Sequence, residues 1–263
     1  KFQLRYPELG RILAKDLAPS TASSQKEISL EDTYTEKPVK GIRKVTATRM
    51  AESLHSTAQF TMTSYAKATA LQQLRKRLKE SDASLGLNNI TINDLVMFAV
   101  TKTLLSFPYM NAHFLTDTIR EYASIHVGCA VDTPKGLLVP VIKHAQSLSL
   151  KELSDTAKQL ALAAIDGKAQ MDDLSGSTFT VTNLGALGID SFTPVINIPE
   201  VAILGVGGIS LRPVGKGDSD VSFVPHISLS LTINHMAVDG APGAKFLLSL
   251  VKNIESIDLL LAL

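Results

Sequence analysis

The chain has 263 residues, 45% hydrophobic and 19% charged, so it can bury a sizeable core and is not globally disordered. Its 26 basic and 25 acidic residues leave a formal net charge of +1, too weak a field to recruit nucleic acid or an anionic membrane, and neither partner is expected. One cysteine, Cys129, excludes an intrachain disulfide framework and makes a reducing compartment the default.

Residues 1–13 show no apolar run of the kind a signal peptide needs. The longest apolar stretch, Val201–Ile209, carries three glycines and falls far short of the roughly 20 residues of a membrane span. The expectation is a soluble intracellular protein. Residues 17–40 are dominated by Ser, Thr, Glu, Lys and Pro and read as a flexible linker. From Gly41 onward the pattern is globular without a break. Helices are expected over 43–57, over 67–82 from the spacing of Leu71, Leu74 and Leu78, and over 91–106 behind a cap at Thr91 or Asn93. Strands are expected at 123–131 and 137–143, separated by the turn Asp132–Gly136. An amphipathic helix follows at 149–165, then strands at 177–183, 200–206 and 226–235, and a helix over 241–261. This irregular alternation suggests an α/β chain, a two-layer sandwich in which a mixed β-sheet packs on helices, forming one domain over 41–263.

The most informative strand is 226–235. Ile227, Leu229, Leu231 and Ile233 share one face, while Ser228, Ser230, Thr232 and Asn234 share the other. His235 falls on the apolar parity at the strand end, before the breakers Gly240, Pro242 and Gly243. Such a histidine can be a neutral, oriented imidazole suited to general-base work near neutral pH. On periodicity alone a hydrogen-bonded core histidine is the commoner reading, and Asp239-Gly240 alone is a turn.

The segment from His235 to Gly240 resembles the His-Arg-x-x-Asp-Gly signature of the acyltransferase component of 2-oxo-acid dehydrogenase complexes. It also resembles the His-x-x-x-Asp-Gly signature of chloramphenicol acetyltransferase, which shares that fold. The resemblance runs in order through Gly41–Lys44 with Thr48–Ser53, Phe107–Ala112, Val127–Ile142, Phe179–Gly185, Ile198–Gly207 and the tail Asp258–Leu261. It implies a chloramphenicol acetyltransferase-like fold and acyl transfer, with acetyl favoured, between a dihydrolipoyl thiol and coenzyme A. By the same resemblance His235 is the general base and the hydroxyl of Thr182 stabilises the oxyanion. Asp239 would clamp the backbone by pairing with Arg49 or, second, Arg43, so that losing its partner would strand a buried carboxylate. Asn183, Gly185 and Asn234 would line the substrate channel.

Further implications follow from the family. The chain would form a homotrimer with active sites between subunits, joined into a larger core through Leu259-Leu260-Leu261. Its partners would be a lipoyl domain supplying the lipoyl group, the decarboxylase and the dihydrolipoamide dehydrogenase. Gly10-Arg11-Ile12 and Asp16 resemble the end of a peripheral-subunit-binding domain, making residues 1–16 a remnant of one. The location would be cytoplasmic in a bacterium, or else the mitochondrial matrix. Two departures stand out: Asn234 and Met236 replace the usual Asp and Arg around the histidine.

The remaining features read plainly. Cys129 is expected to be a packed hydrophobe, and the glycines of 204–208 do not open a helix as a phosphate loop would. The other histidines lack ligand spacing, so no metal is expected. Two competing readings are a chloramphenicol-type acetyltransferase acting on a hydroxyl acceptor, and a catalytically weak scaffold paralogue.

Overall fold

The computed structural model describes residues 34–215 and 220–262. The expected remnant at 1–16 and the linker up to residue 33 lie outside the described residues, while 34–40 are exposed and form no helix or strand.

The centre of the unit that starts at Val39 is a six-stranded sheet. In chain order its strands are β1 (Gln59–Lys67), β4 (Val127–Cys129), β7 (Val141–Ile142), β8 (Phe179–Asn183), β9 (Ala202–Gly215) and β10 (Val221–Asn234). In space they run β1-β10-β9-β8-β4-β7. The β9–β8 and β8–β4 pairs are parallel and the others antiparallel, so the sheet is mixed, as expected. Two small hairpins stand apart, β2 (Ala112–Leu115) with β3 (Thr118–Glu121) and β5 (Val131–Thr133) with β6 (Gly136–Leu138).

The helices are α1 (Gly41–Ser56), α2 (Thr69–Lys79), α3 (Ile92–Leu104), α4 (Leu150–Ile165), α5 (Gly240–Glu255) and α6 (Ile257–Leu260). Thr91, not Asn93, caps α3: its side chain accepts from the N–H of Asp94 while Asp94 accepts from Thr91 N–H, so two otherwise orphaned donors are satisfied. Ser149 and Glu152 do the same for α4. The continuous helix expected over 241–261 is interrupted at Ser256, where the backbone leaves the helical region.

The apolar face of β10 meets this helical layer. Leu229, Leu231 and Ile233 are fully buried. On α5, Phe246 packs at 5.6 Å edge-on to Phe107 and at 5.7 Å from Phe179 of β8, tying helix to sheet. The hydroxyl face of β10 is buried as well, because the segment 184–201 folds over it. Thr61 and Thr232 bond across β1 and β10 at 2.7 Å, and Thr63 and Ser230 at 3.1 Å. Gly205, in register with Ser230, has no room for a side chain, since a Cβ there would meet the ring of Phe192 at 2.9 Å.

Candidate active site

His235 stands just past the end of β10. Its backbone N–H donates to Ala58 O at 2.8 Å, and Ala58 N–H in turn reaches Asn234 Oδ1 at 3.3 Å. The imidazole is 45% exposed and lies 5.7 Å, tilted, from the ring of Phe60. Its Nδ1 is 3.6 Å from Asp239 Oδ1, too far for a hydrogen bond.

Asp239 sits at the N-cap of α5 with its side chain 83% exposed. The expected clamp is therefore not formed within the chain. Among the described residues the carboxylate has only His235 within ion-pair distance, and Arg43 and Arg49 make no salt bridge. Both arginines project from the largely exposed helix α1, and Arg49 lines a cavity with Glu52, His113 and Glu200. An exposed carboxylate keeps its hydration, so the penalty of a stranded buried charge does not arise.

Thr182 lies near the end of β8, two strands across the sheet from β10. Through β8–β9 it faces Gly205, and Gly205 faces Ser230 on β10, five residues short of His235. At roughly 3.3 Å per residue and 4.8 Å per strand, the two side chains are on the order of 19 Å apart in one chain. Thr182 is half-buried, and its neighbours pin the loop behind it. Asn183 Nδ2 donates to Asn93 Oδ1 at 2.9 Å, and Asn183 Oδ1 accepts from Gly185 N at 2.8 Å. Gly185 must be glycine, because a Cβ would lie 2.5 Å from Gly207 O. Asn93 Nδ2 also approaches Cys129 Sγ at 3.9 Å. Cys129 is half-buried against the core, and burial pushes its thiol up to about 11.

Asn234 is fully buried and forms part of the wall of a cavity of about 490 Å³ shared with Glu52, Phe114, Pro199, Glu200 and Met236. Glu200 is the notable residue that sequence reasoning assigned no role. Burial pushes its carboxyl up to about 7, against the opposing effect of bonds from Ser177 Oγ, Thr180 Oγ1 (2.8 Å) and Asn197 Nδ2 (2.8 Å). One signal was present, an acid inside the apolar run Ile198–Leu204. Among the described residues no group of three or more His, Cys, Asp or Glu side chains is placed to hold a metal ion.

Residues 31–262 match the family model for the 2-oxoacid dehydrogenases acyltransferase catalytic domain. The chain is 39% identical over 249 residues to the dihydrolipoyllysine-residue acetyltransferase component of the acetoin cleaving system of Bacillus subtilis, covering 94% of this chain and 62% of that one. It is 35% identical to the corresponding component of the Staphylococcus aureus pyruvate dehydrogenase complex, covering 92% of this chain and 56% of that one. The chain thus spans about three fifths of the length of these curated relatives. Among solved structures, a probable dihydrolipoamide acetyltransferase from Listeria monocytogenes superposes with a TM-score of 0.81 at 33% identity, over 85% of this chain and 95% of that one. The Azotobacter vinelandii dihydrolipoamide acetyltransferase, solved to probe the catalytic roles of a serine, a histidine and an asparagine, superposes with 0.82 at 32%, over 87% and 94%. The chain belongs to the family of 2-oxoacid dehydrogenase acyltransferase catalytic domains.

Proposed function

We propose that this chain transfers an acyl group, acetyl by preference, between a dihydrolipoyl thiol and coenzyme A. The observation that carries this reading is a half-exposed imidazole on a rigid strand end, with an acidic residue four positions later, in a chain of this family. The same histidine-to-fourth-residue spacing occurs, with asparagine, in the catalytic residues probed in the Azotobacter enzyme. His235 takes the proton of the attacking thiol, leaving the thiolate to add to the thioester carbonyl. The tetrahedral oxyanion is held by a hydroxyl donor, and collapse expels the second thiolate, which recovers the proton from the imidazolium. Both thiols are substrates, so the protein supplies orientation, a base and a donor.

Thr182 is the hydroxyl in this reading, and it comes from a second copy. Its separation from His235 within one chain leaves each copy with half a site, which fits a cyclic homo-oligomer with sites at the boundaries. A trimer assembled into a larger core, served by a lipoyl domain, a decarboxylase and a dihydrolipoamide dehydrogenase, completes the proposal, with a bacterial cytoplasm as its setting. The names of the Bacillus and Staphylococcus relatives favour acetyl over other acyl groups.

The test is acyl transfer from acetyl-coenzyme A to dihydrolipoamide, run beside isobutyryl- and succinyl-coenzyme A and beside a hydroxyl acceptor. Thiol-dependent transfer, fastest with acetyl, is expected. Transfer to the hydroxyl acceptor alone would replace this reading with the chloramphenicol type.

A further inference from the structure

Asn234 directly precedes His235 and is fully buried. Every polar group it has, except Nδ2, is bonded to backbone around the histidine. Oδ1 accepts from Ala58 N at 3.3 Å and from Met236 N at 3.1 Å. The main-chain carbonyl accepts from Ala237 N at 2.9 Å and Val238 N at 3.0 Å, closing the turn that follows the histidine. The main-chain N–H donates to Val201 O at 2.8 Å and fixes this turn to the residue just before β9. Ala58 completes the ring, donating to Asn234 and accepting from His235 N.

The imidazole, by contrast, makes no hydrogen bond of its own among the described residues. Its ring has only the 3.6 Å approach of Asp239 and the tilted face of Phe60. The direction of the ring is therefore set by the backbone beneath it. Asn234 also leaves Nδ2 buried without a partner. An orphaned donor is costly, so the amide is not there for stability alone. What its side chain does supply is an oxygen that gathers one N–H from each side of the histidine.

We infer that Asn234 is a positioning residue for His235, acting through the two backbone N–H groups that its Oδ1 draws together. This rests on the reading of His235 as the base. Asn234→Ala removes the acceptor, whereas Asn234→Asp keeps it in the same place.

The experiment compares the wild-type assembly with both variants in two measurements. In acetyl transfer, Asn234→Ala is expected to lower kcat at least tenfold with KM within twofold, and Asn234→Asp to recover kcat to within about threefold of wild type. In the second measurement, the rate of carbethoxylation of His235 by diethyl pyrocarbonate is read by mass spectrometry against the exposed His55. Asn234→Ala is expected to change the His235 rate more than threefold and the His55 rate not at all. An Asn234→Ala assembly with kcat within threefold of wild type and an unchanged His235 rate overturns the inference. If Asn234→Ala does not assemble, Asn234→Asp decides: a loss beyond tenfold overturns the inference, and recovery supports it. A wild type without transfer activity defeats the functional reading, while the carbethoxylation rates still judge the positioning role.

Discussion

The ends of β10 and β8 carry the two side chains that the proposed reaction needs, and they are built differently. At the end of β10, His235 has a free ring above a backbone held by Asn234, Ala58 and Val201. At the end of β8, Thr182 is half-buried, and the adjoining Asn183 is held by its side-chain bonds to Asn93 and to the backbone N–H of Gly185. One end presents an imidazole, the other a half-buried hydroxyl. The β10–β9–β8 register separates them along the sheet, so neither end is a complete site. On the proposed reading, a fold that divides the two side chains in this way would make activity depend on assembly.

The sharpest test of this contrast is His235→Ala, expected to lower kcat by about 10²–10⁴ in the transfer assay while the assembled mass stays unchanged. Next comes Thr182→Val, expected to cost about 10² in kcat, with Thr182→Ser close to wild type. The two dead variants can then be combined. Co-assembled at equal amounts, they should recover about a quarter of wild-type activity, because random pairing across a boundary joins an intact His235 to an intact Thr182 that often. Hybrids with no recovery would place both residues in one chain's site and break the comparison.

A smaller effect concerns Glu200, near the β10 end. Its folded-state value of about 7 lies above the ordinary 4.5. The fold therefore favours the neutral acid. That contribution is complete below about pH 4.5 and is lost as pH rises through about 7, up to roughly 3 kcal/mol in all. Thermal melting should accordingly fall between pH 5 and 8 in wild type and stay flatter in Glu200→Gln; parallel curves would refute the assignment.

Elements with a strong period were readable from the residues. The Leu71, Leu74 and Leu78 spacing lies on α2, and the β10 alternation survives intact. Strand β1 was not foreseen, because Gln59–Lys67 mixes polar and apolar residues and is a strand only by pairing with β10 at the sheet edge. The outer halves of β9 and β10 were missed for a related reason, since Leu211, Val221 and Phe223 are exposed and pack on no core. The small β2–β3 hairpin, wholly exposed along β3, offers no hydrophobic pattern at all. His235 and Thr182 were found through ordered motifs, but their separation depends on which strands pair, which no local pattern encodes. The expected pairing of Asp239 with Arg49 or Arg43 likewise depends on tertiary placement, and within the chain the described residues form no such salt bridge.

Cys129 has a bearing on chemical selectivity. Burial pushes its thiol up to about 11, so near neutral pH the reactive anion is scarce. A catalyst that handles activated thioesters and reduced dithiols would be poisoned by a competing sulfur of its own, through self-acylation or mixed disulfides. In the proposed transfer a sulfur kept protonated would stay a bystander to the reacting thiols, and iodoacetamide should label it far more slowly than free coenzyme A.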